Sequence, residues 1–211
     1  MIKLVIFDMD GVLVDACDWH KIALNEALLE VSGYTISEDD HIKYYNGLPT
    51  KVKLMRMVEL GFIAENHVNK IYNVKQQKTK EIIIHHASVD QGKMDLMRWI
   101  KEQNIHIACF TNSIRETAYM MLDKIGVVDS LELLVTNQDV ISPKPSPEGY
   151  NKILNHFGVT PAEAIIVEDS PKGIQAAKET GCSVMQVKNA KEVVIKNLEE
   201  FINENFNSHG G

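Results

Sequence analysis

Four acidic side chains in the sequence occur as two short motifs, and each motif follows an apolar segment. Asp8 and Asp10 lie near the N-terminus, and Glu168 and Asp169 lie in the last quarter of the chain. If these carboxylates meet, each like-charged pair about 4 Å apart repels by roughly 4 kcal/mol at an effective dielectric constant near 20. The group must therefore bind protons or a cation. Because the ligands on offer are oxygen atoms, the sequence predicts a hard ion such as Mg²⁺.

Hydrogen-bond donors and a positive charge occur in two further motifs. Thr111 and Asn112 follow another apolar segment, and Lys144 stands between two prolines. Donors and positive charge opposite a divalent ion suit a phosphoryl group, so these three residues are predicted to bind phosphate. A carboxylate such as Asp8 can attack phosphorus to form an aspartyl-phosphate. Asp10 can protonate the departing alkoxide and later accept a proton from the attacking water.

The elements that must position these residues alternate along the chain. Short apolar segments typical of strands are Leu4–Phe7, Ile105–Phe110, Leu133–Thr136, Ile165–Val167 and Val184–Val187. Segments with helical periodicity are Met94–Gln103, Arg115–Ile125, Pro147–Phe157, Pro171–Thr180 and Lys191–Phe206. This alternation predicts an α/β fold, a Rossmann-like doubly wound parallel sheet covered on both faces. Ligands of such sheets bind beyond the carboxyl ends of the strands, where the polar motifs fall.

Residues typical of helix ends support these predictions. Ser146-Pro147 and Ser170-Pro171 each predict a serine N-cap before a proline at the first helical position. Ser113 is also expected to be an N-cap. Glycines stand where three helices should end: Gly126, Gly158 and Gly181.

One interval breaks the alternation, because no convincing strand occurs between Asp15 and about His86. Its candidate helices are Asp18–Ser32, Ser37–Tyr45, Thr50–Leu60 and Glu65–Ile84. A helical block inserted directly after the first strand predicts a small all-helical cap domain. We expect the cap to comprise residues 16–86 and the catalytic core to comprise residues 1–15 and 87–211.

Composition limits the partners of this protein. The 211 residues are 45% hydrophobic and carry 22 basic against 29 acidic side chains, a net charge of -7. No dense Lys/Arg cluster occurs, so nucleic acid and membranes are not expected partners. The three cysteines lack CxxC spacing, which indicates neither a disulfide framework nor a zinc site. No signal peptide or membrane span is expected, and we predict a cytoplasmic protein. The oligomeric state has no signal in the sequence, and we slightly favour a monomer.

Four segments together resemble the ordered motifs of the haloacid dehalogenase (HAD) superfamily. They are Asp8–Asp15, Thr111–Ser113, Lys144–Glu148 and Glu168–Ser170. The likeness extends from residue 1 to about residue 190. A helical insertion straight after the first motif is similar to the cap of the phosphoglycolate phosphatase and β-phosphoglucomutase branch.

The resemblance implies a role for each matching residue. Asp8 would be the nucleophile and Asp10 the general acid and base, with Thr111 and Lys144 as ligands of the phosphoryl group. The implied Mg²⁺ ligands are Asp8, Asp10 through its carbonyl, Asp169 and, as a further candidate, Glu168. A DxD motif favours phosphoryl transfer over dehalogenation. The expected activity is therefore that of a Mg²⁺-dependent phosphatase acting on a small phosphorylated metabolite.

A sugar phosphomutase is the alternative activity. β-Phosphoglucomutases carry a Lys just before the cap-loop glycine and an Arg three residues after it, whereas Asn46 and Thr50 flank Gly47 here. Each charge-assisted contact to phosphate contributes roughly 1.5–3 kcal/mol, so two neutral replacements weaken the binding of a bisphosphate. We therefore favour the phosphatase. Lys51 and Lys53 are close enough in sequence to replace the missing cations.

Two more residues are candidates for substrate binding, in addition to Gly47. His20 matches a histidine near the cap hinge of the mutase-like branch, where it contacts the substrate or the acid/base aspartate, and it keeps the mutase alternative open. Arg115 either faces solvent or reaches the substrate.

A receiver-type signalling domain also combines a parallel sheet with a phosphorylated aspartate. Receivers place an acidic pair after the first strand and the phosphorylated aspartate after the third, without a helical insertion, so the order of motifs argues against this class. A dinucleotide-binding module is excluded because the first turn contains no GxGxxG motif.

Overall fold

The computed structural model describes residues 1–45 and 48–207. Its strands are β1 Leu4–Phe7, β2 His106–Phe110, β3 Leu133–Val135, β4 Ala164–Glu168 and β5 Ser183–Gln186. Within the described residues they form one five-stranded sheet in the order β3-β2-β1-β4-β5. All neighbouring strands run parallel. The predicted α/β fold with a Rossmann-like parallel sheet is confirmed.

The central strand, β1, is buried along its whole length. A parallel sheet is covered on both faces, which explains why this strand is a continuous apolar run rather than an alternating one. Phe7, its last residue, pairs with Cys109 of β2 and Val167 of β4. The three strands therefore end at nearly the same level, and the residues that follow them lie at one edge of the sheet.

The helices account for most of the remaining chain. They are α1 Cys17–Ser32, α2 Glu38–Asp40, α3 Thr50–Glu59, α4 Val68–His86, α5 Gln91–Glu102, α6 Arg115–Lys124, α7 Glu148–Phe157, α8 Pro171–Glu179 and α9 Ile195–Ile202. A π-helical turn, His41–Tyr45, continues α2 directly. Among the helices described, none has both the length and the apolar composition needed to cross a membrane.

The chain divides into two compact units. One joins Met1–Asp15 to the chain from Ser88 onward and contains the sheet with α5 to α9, and the other is Ala16–Ala87 with α1 to α4. In the helical unit α1 packs along α4. Its buried interior includes Leu24, Leu28, Leu54, Met57 and Ile71. The role of this unit as a cap domain remains a prediction.

The ends of the helices agree with the sequence predictions at α8 and differ at α7. Ser170 caps α8, since its hydroxyl accepts a hydrogen bond from the backbone N–H of Gly173 at 3.1 Å, and Pro171 is the first helical residue. At α7 the helix begins one residue later than expected, at Glu148, although Pro147 already has helical backbone angles. The first residue of a helix commonly differs by one or two positions between methods of assignment.

The single C-terminal helix predicted over Lys191–Phe206 is wrong. A short 3-10 helix, Ala190–Glu192, is followed by a break before α9. Lys93, buried on α5, donates hydrogen bonds to the carbonyl oxygens of Ala190 and Val193 at 2.6 and 2.9 Å. A continuous helix would use these carbonyls for its own hydrogen bonds, so the buried lysine stabilises the break instead.

Candidate active site

The carboxyl edge of the sheet brings together motifs that are far apart in the sequence. Asp8 follows β1, Thr111 follows β2, and Glu168 is the last residue of β4. The backbone N–H of Asp8 donates to the carbonyl of Val167 at 3.0 Å, so strand pairing continues one residue past β1. Because β1 lies between β2 and β4, Asp8 occupies the centre of this edge.

Lys144 reaches the same edge from the loop between β3 and α7. Its Nζ donates to Oδ1 of Asp8 at 2.6 Å and to Oε1 of Glu168 at 2.5 Å. The exposed fraction is 7% for Asp8, 4% for Lys144 and 0% for Glu168. These three side chains form one charged unit, and removal of Lys144 would leave two buried carboxylates without their cation.

Burial and the neighbouring charges shift the pKa values of Asp8 and Lys144. Burial raises the pKa of Asp8 well above its ordinary value, and the charge of Glu168 raises it further, while Lys144 acts in the opposite direction. Burial alone would lower the pKa of Lys144, but the charges of Asp8 and Glu168 outweigh burial and raise it. Lys144 is therefore a permanent cation at neutral pH, and its charge favours the anionic form of Asp8.

Asp169 completes a group of three carboxylates with Asp8 and Glu168, whose oxygens lie within 4.8 Å of one another. Oδ1 of Asp169 is buried and has no hydrogen-bond partner within the described residues. Burial, followed by the charge of Glu168, raises the pKa of Asp169 to about 7. A buried carboxylate oxygen without a donor, next to other carboxylates, is an arrangement that a hard cation satisfies. These residues could therefore hold a metal ion.

Gly11 makes room for Asp169. Its φ of +87° lies in the left-handed region, and a Cβ at this position would be 2.1 Å from Oδ2 of Asp169. Gly11 also forms part of the turn after β1, with its N–H donating to the carbonyl of Val14 at 2.7 Å. Any side chain here would both strain the backbone and displace the Asp169 carboxylate.

The side chain of Asp10 is not one of the three carboxylates that lie within 4.8 Å of one another, so this group contains three of the four predicted carboxylates. Its Oδ2 accepts hydrogen bonds from the hydroxyls of Thr111 and Ser113 at 3.4 and 3.1 Å. The chain turns after Met9, whose carbonyl accepts hydrogen bonds from the backbone N–H groups of Leu13 and Val14. Asp10 is still near enough to Asp8 to raise its pKa.

Ser113 is a second correction. The N-cap of α6 is Ile114, whose side chain makes no capping hydrogen bond. The Ser113 hydroxyl donates to Asp10 instead. The predicted helix cap is therefore a residue of the site.

Asn112 binds the loop that carries Lys144. Its Oδ1 accepts from the backbone N–H of Lys144 at 3.0 Å, and its Nδ2 donates to the carbonyl of the same residue at 3.2 Å. This two-point contact fixes the backbone of Lys144 to the end of β2. Binding of phosphate by Asn112 remains a prediction.

The remaining predicted candidates are Arg115, His20 and Gly47. Arg115 is exposed, and its Nη2 donates to Oδ1 of Asp139 at 2.5 Å. Of the two predicted roles, this position favours a side chain that faces solvent over one that reaches the substrate. His20 belongs to the helical unit, where its Nδ1 is 3.1 Å from Nζ of Lys75. Gly47 lies outside the described residues.

The sequence did not identify three residues that contact the charged side chains of the site. The hydroxyl of Tyr150 donates to Oε1 of Glu168 at 2.7 Å, and the ring of Phe110 lies 4.8 Å from Nζ of Lys144. At Gly173, a Cβ would be 1.9 Å from Oε1 of Glu168. An aromatic residue soon after the Lys144 motif and a glycine soon after the Glu168 motif are the only sequence signals, and neither reveals its partner.

The fold and the site define a hydrolase built on a parallel sheet, with its charged residues at the carboxyl edge. The chain belongs to the haloacid dehalogenase-like hydrolase family, whose sequence pattern matches residues 5–187. The predicted resemblance is confirmed.

Curated relatives and solved structures agree with this membership. The validoxylamine A 7'-phosphate phosphatase of Streptomyces hygroscopicus subsp. limoneus is 29% identical, with 86% of this chain and 83% of that protein covered. A phosphorylated carbohydrates phosphatase of Thermotoga maritima is 28% identical, with 85% and 82% covered. A β-phosphoglucomutase from Clostridium difficile shares the fold with a TM-score of 0.81 over 97% of this chain and 98% of that chain, at 22% identity. The predicted enzyme class, a phosphatase of this family, is confirmed.

Proposed function

We propose that this protein is a Mg²⁺-dependent phosphatase that hydrolyses a small phosphorylated metabolite through an aspartyl-phosphate on Asp8. The observation that carries the proposal is the position of Asp8, which accepts a hydrogen bond from Lys144 at 2.6 Å and shares a group of carboxylates with Glu168 and Asp169. A carboxylate in contact with a permanent cation is suited, in its ionised form, to attack phosphorus. Membership of the family supports the same chemistry.

In the first step, an oxygen of Asp8 bonds to phosphorus and the bond between phosphorus and the substrate alkoxide breaks. Lys144 stays charged during this step, and its charge offsets the negative charge on the phosphoryl oxygens. Thr111 and Asn112, at the end of β2, are proposed to supply further hydrogen-bond donors, and the Thr111 hydroxyl would turn from Asp10 to the phosphoryl group to do so. Asn112 also holds the backbone of Lys144, so it contributes to the position of the cation.

Asp10 is proposed as the general acid and base. In its protonated form it gives a proton to the departing alkoxide. In the second step it takes a proton from the water that attacks phosphorus, and the P–O bond to Asp8 breaks to release inorganic phosphate. The hydroxyls of Thr111 and Ser113 both donate to Oδ2 of Asp10, which fixes the orientation of its carboxyl group.

The carboxylates of Asp8 and Asp169 and the carbonyl of Asp10 are the proposed Mg²⁺ ligands. The buried Oδ1 of Asp169 lacks a donor within the described residues, which fits a metal ligand. When bound, the ion supplies positive charge that offsets charge on the transferring phosphoryl group. Glu168 is less suited to direct coordination, because both of its oxygens already accept hydrogen bonds from the protein.

We propose a sugar phosphate or a phosphoglycolate-type compound as the substrate. The curated relatives are named as phosphatases of phosphorylated carbohydrates and of validoxylamine A 7'-phosphate, which supports a small phosphorylated metabolite. We assign substrate discrimination to the helical unit as a cap domain, with Gly47 and His20 as its candidate residues. A cytoplasmic, monomeric protein without nucleic-acid or membrane partners completes the proposal.

A screen of small phosphate esters tests the proposed function. Release of inorganic phosphate is measured with Mg²⁺ and with EDTA, and we expect turnover of at least one sugar phosphate or phosphoglycolate with Mg²⁺ alone. Asp8→Asn should reduce kcat by at least about a thousandfold, since it removes the nucleophile. Asp123→Asn, at an exposed position of α6, is the matched control and should behave like wild type. Wild-type rates in Asp8→Asn would refute the proposal.

A sugar phosphomutase is the second candidate function. In the helical unit, the contact of His20 with the buried Lys75 provides a polar pair of the kind a second anionic group of a substrate could use. Incubation with β-glucose 1-phosphate and its bisphosphate activator separates the two functions. Conversion to the 6-phosphate isomer without release of inorganic phosphate would favour the mutase, and release of inorganic phosphate would favour the phosphatase.

A further inference from the structure

Tyr150 is a buried residue of α7 that contacts the charged unit formed by Asp8, Lys144 and Glu168. Its exposed fraction is 0%. The hydroxyl donates to Oε1 of Glu168 at 2.7 Å, the oxygen that also accepts from Nζ of Lys144. Nζ of Lys144 lies 5.0 Å from the centroid of the Tyr150 ring. One side chain thus touches two members of the unit, one through its hydroxyl and the other through its ring.

The ring itself is held by packing that does not depend on the hydroxyl. Tyr150 meets Phe110 edge to face, with the ring planes at 89° and the centroids 4.9 Å apart. A Cβ at Gly149 would lie 2.3 Å from the Phe110 ring, so glycine permits this close approach of α7 to β2. The hydroxyl is therefore presented to Glu168 by a ring whose position is fixed independently.

Protein donors fully occupy the carboxylate of Glu168. Its Oε2 accepts from the backbone N–H groups of Asp169 and Ser170 at 3.1 and 3.3 Å and from the Ser170 hydroxyl at 3.2 Å. Its Oε1 accepts from Lys144 and Tyr150. A carboxylate offers about four lone-pair positions, so these five contacts leave none unused.

Lys144 is consequently divided between two carboxylates at nearly equal distances, 2.6 Å to Asp8 and 2.5 Å to Glu168. The Tyr150 hydroxyl satisfies part of the negative charge on Oε1 of Glu168 and so weakens the pull of this oxygen on the ammonium. Without the hydroxyl, Glu168 would attract Lys144 more strongly, at the expense of its bond to Asp8.

We propose that Tyr150 is a positioning residue that keeps Lys144 on Asp8 by donating a hydrogen bond to Glu168. The catalytic consequence rests on the proposed function, because it requires Asp8 to be the nucleophile and Lys144 to offset phosphoryl charge. The positional consequence, which is the distance between Lys144 and Asp8, does not rest on the proposed function.

Tyr150→Phe tests the catalytic consequence, since it removes the hydroxyl and keeps the ring. With p-nitrophenyl phosphate and Mg²⁺, we expect kcat to fall about tenfold, equivalent to about 1.4 kcal/mol, while KM changes less than about twofold. Loss of packing alone would lower the melting temperature without this split between kcat and KM. Tyr119→Phe, at an exposed position of α6, is the matched control and should retain wild-type kinetics.

Glu168→Gln shows whether the loss of kcat in Tyr150→Phe depends on the charge of Glu168. In that background the ion pair with Lys144 is absent, so adding Tyr150→Phe should change kcat less than about twofold. A second tenfold loss in the double variant would contradict the proposal.

A crystal structure of Tyr150→Phe tests the positional consequence without any turnover. Separation of Lys144 Nζ from Asp8 Oδ1 beyond hydrogen-bond distance supports the proposal, and an unchanged contact overturns it. If the wild-type protein hydrolyses no phosphate ester, the proposed function fails, and this distance still decides the role of Tyr150.

Discussion

Asp169→Asn removes a charge from the carboxylate group while it keeps the shape of the side chain. In the absence of metal, the Asp169 carboxylate lies beside Asp8 and Glu168, and its buried Oδ1 has no hydrogen-bond donor among the described residues. Burial and the charge of Glu168 make the ionised form unfavourable in the folded protein. The metal-free protein should therefore be more stable with asparagine at this position than with aspartate.

The size and pH dependence of this effect follow from the pKa. Burial and Glu168 raise the pKa of Asp169 from 3.8 to about 7, which corresponds to at most about 4 kcal/mol, and partial exposure reduces this to roughly 1–3 kcal/mol. The folded state binds the proton more tightly than the unfolded state. The stability that protonated Asp169 contributes is therefore fully present below about pH 4 and is lost as the pH rises through about 7.

Urea unfolding, followed by circular dichroism in EDTA, measures the effect. Near pH 8, Asp169→Asn should be more stable than wild type by roughly 1–3 kcal/mol, and the advantage should shrink towards pH 4. Excess Mg²⁺ should reverse the order, because only wild type keeps the full carboxylate set to gain from binding the ion.

The exposed Asp123→Asn variant controls for the loss of one negative charge and should show neither change. A wild-type protein that is more stable than Asp169→Asn in EDTA near pH 8 would refute this account of the site.

Two further predictions concern buried contacts: the close approach of Gly173 to Glu168 and the hydrogen bonds donated by Lys93. Gly173→Ala would place a Cβ 1.9 Å from Oε1 of Glu168, so we expect activity to fall by at least about tenfold and unfolding to require roughly 2 kcal/mol less. Kinetics and urea unfolding at wild-type levels would contradict that close approach. Lys93→Met removes the donors to Ala190 and Val193 and should cost about 2–3 kcal/mol in urea unfolding while kcat stays unchanged. An unaltered free energy of unfolding would show that Lys93 does not stabilise the C-terminal segment.

The sheet could be predicted because its signals are local. Each strand is a short apolar run, and glycines end the helices where the alternation requires it, as at Gly126, Gly158 and Gly181, which all adopt positive φ. The order of motifs then placed Asp8, Thr111 and Glu168 at one edge of the sheet without any knowledge of side-chain contacts.

The direction of Asp10 could not be predicted in the same way. It depends on the turn after β1, in which the backbone N–H groups of Leu13 and Val14 donate to the Met9 carbonyl. The two hydroxyls that donate hydrogen bonds to Asp10 belong to the loop after β2, about a hundred residues away in the sequence. A serine before a helix is usually a cap, and only the tertiary structure identifies Ser113 as a partner of Asp10.

The surroundings of Glu168 depend on tertiary packing in a similar manner. Tyr150 and Gly173 lie on different helices, α7 and α8, and both contact the Glu168 carboxylate. They do so because α8 packs against β4, and α7 packs against α8, β2 and β3. A tyrosine with a helical period is most often a core residue, so its hydroxyl carries no signal in the sequence. The break before α9 has the same origin, since it depends on a lysine from α5.

The formation of a phosphate ester on Asp8 is the most direct test of the proposed chemistry. The enzyme is mixed with Mg²⁺ and a phosphate ester that it hydrolyses, and the reaction is quenched in acid during turnover. The protein is then digested and analysed by mass spectrometry. We predict phosphate on the peptide that contains Asp8, and none in Asp8→Asn treated identically. Phosphate attached to another residue, or turnover of wild type with no phosphorylated peptide at any quench time, would contradict the account.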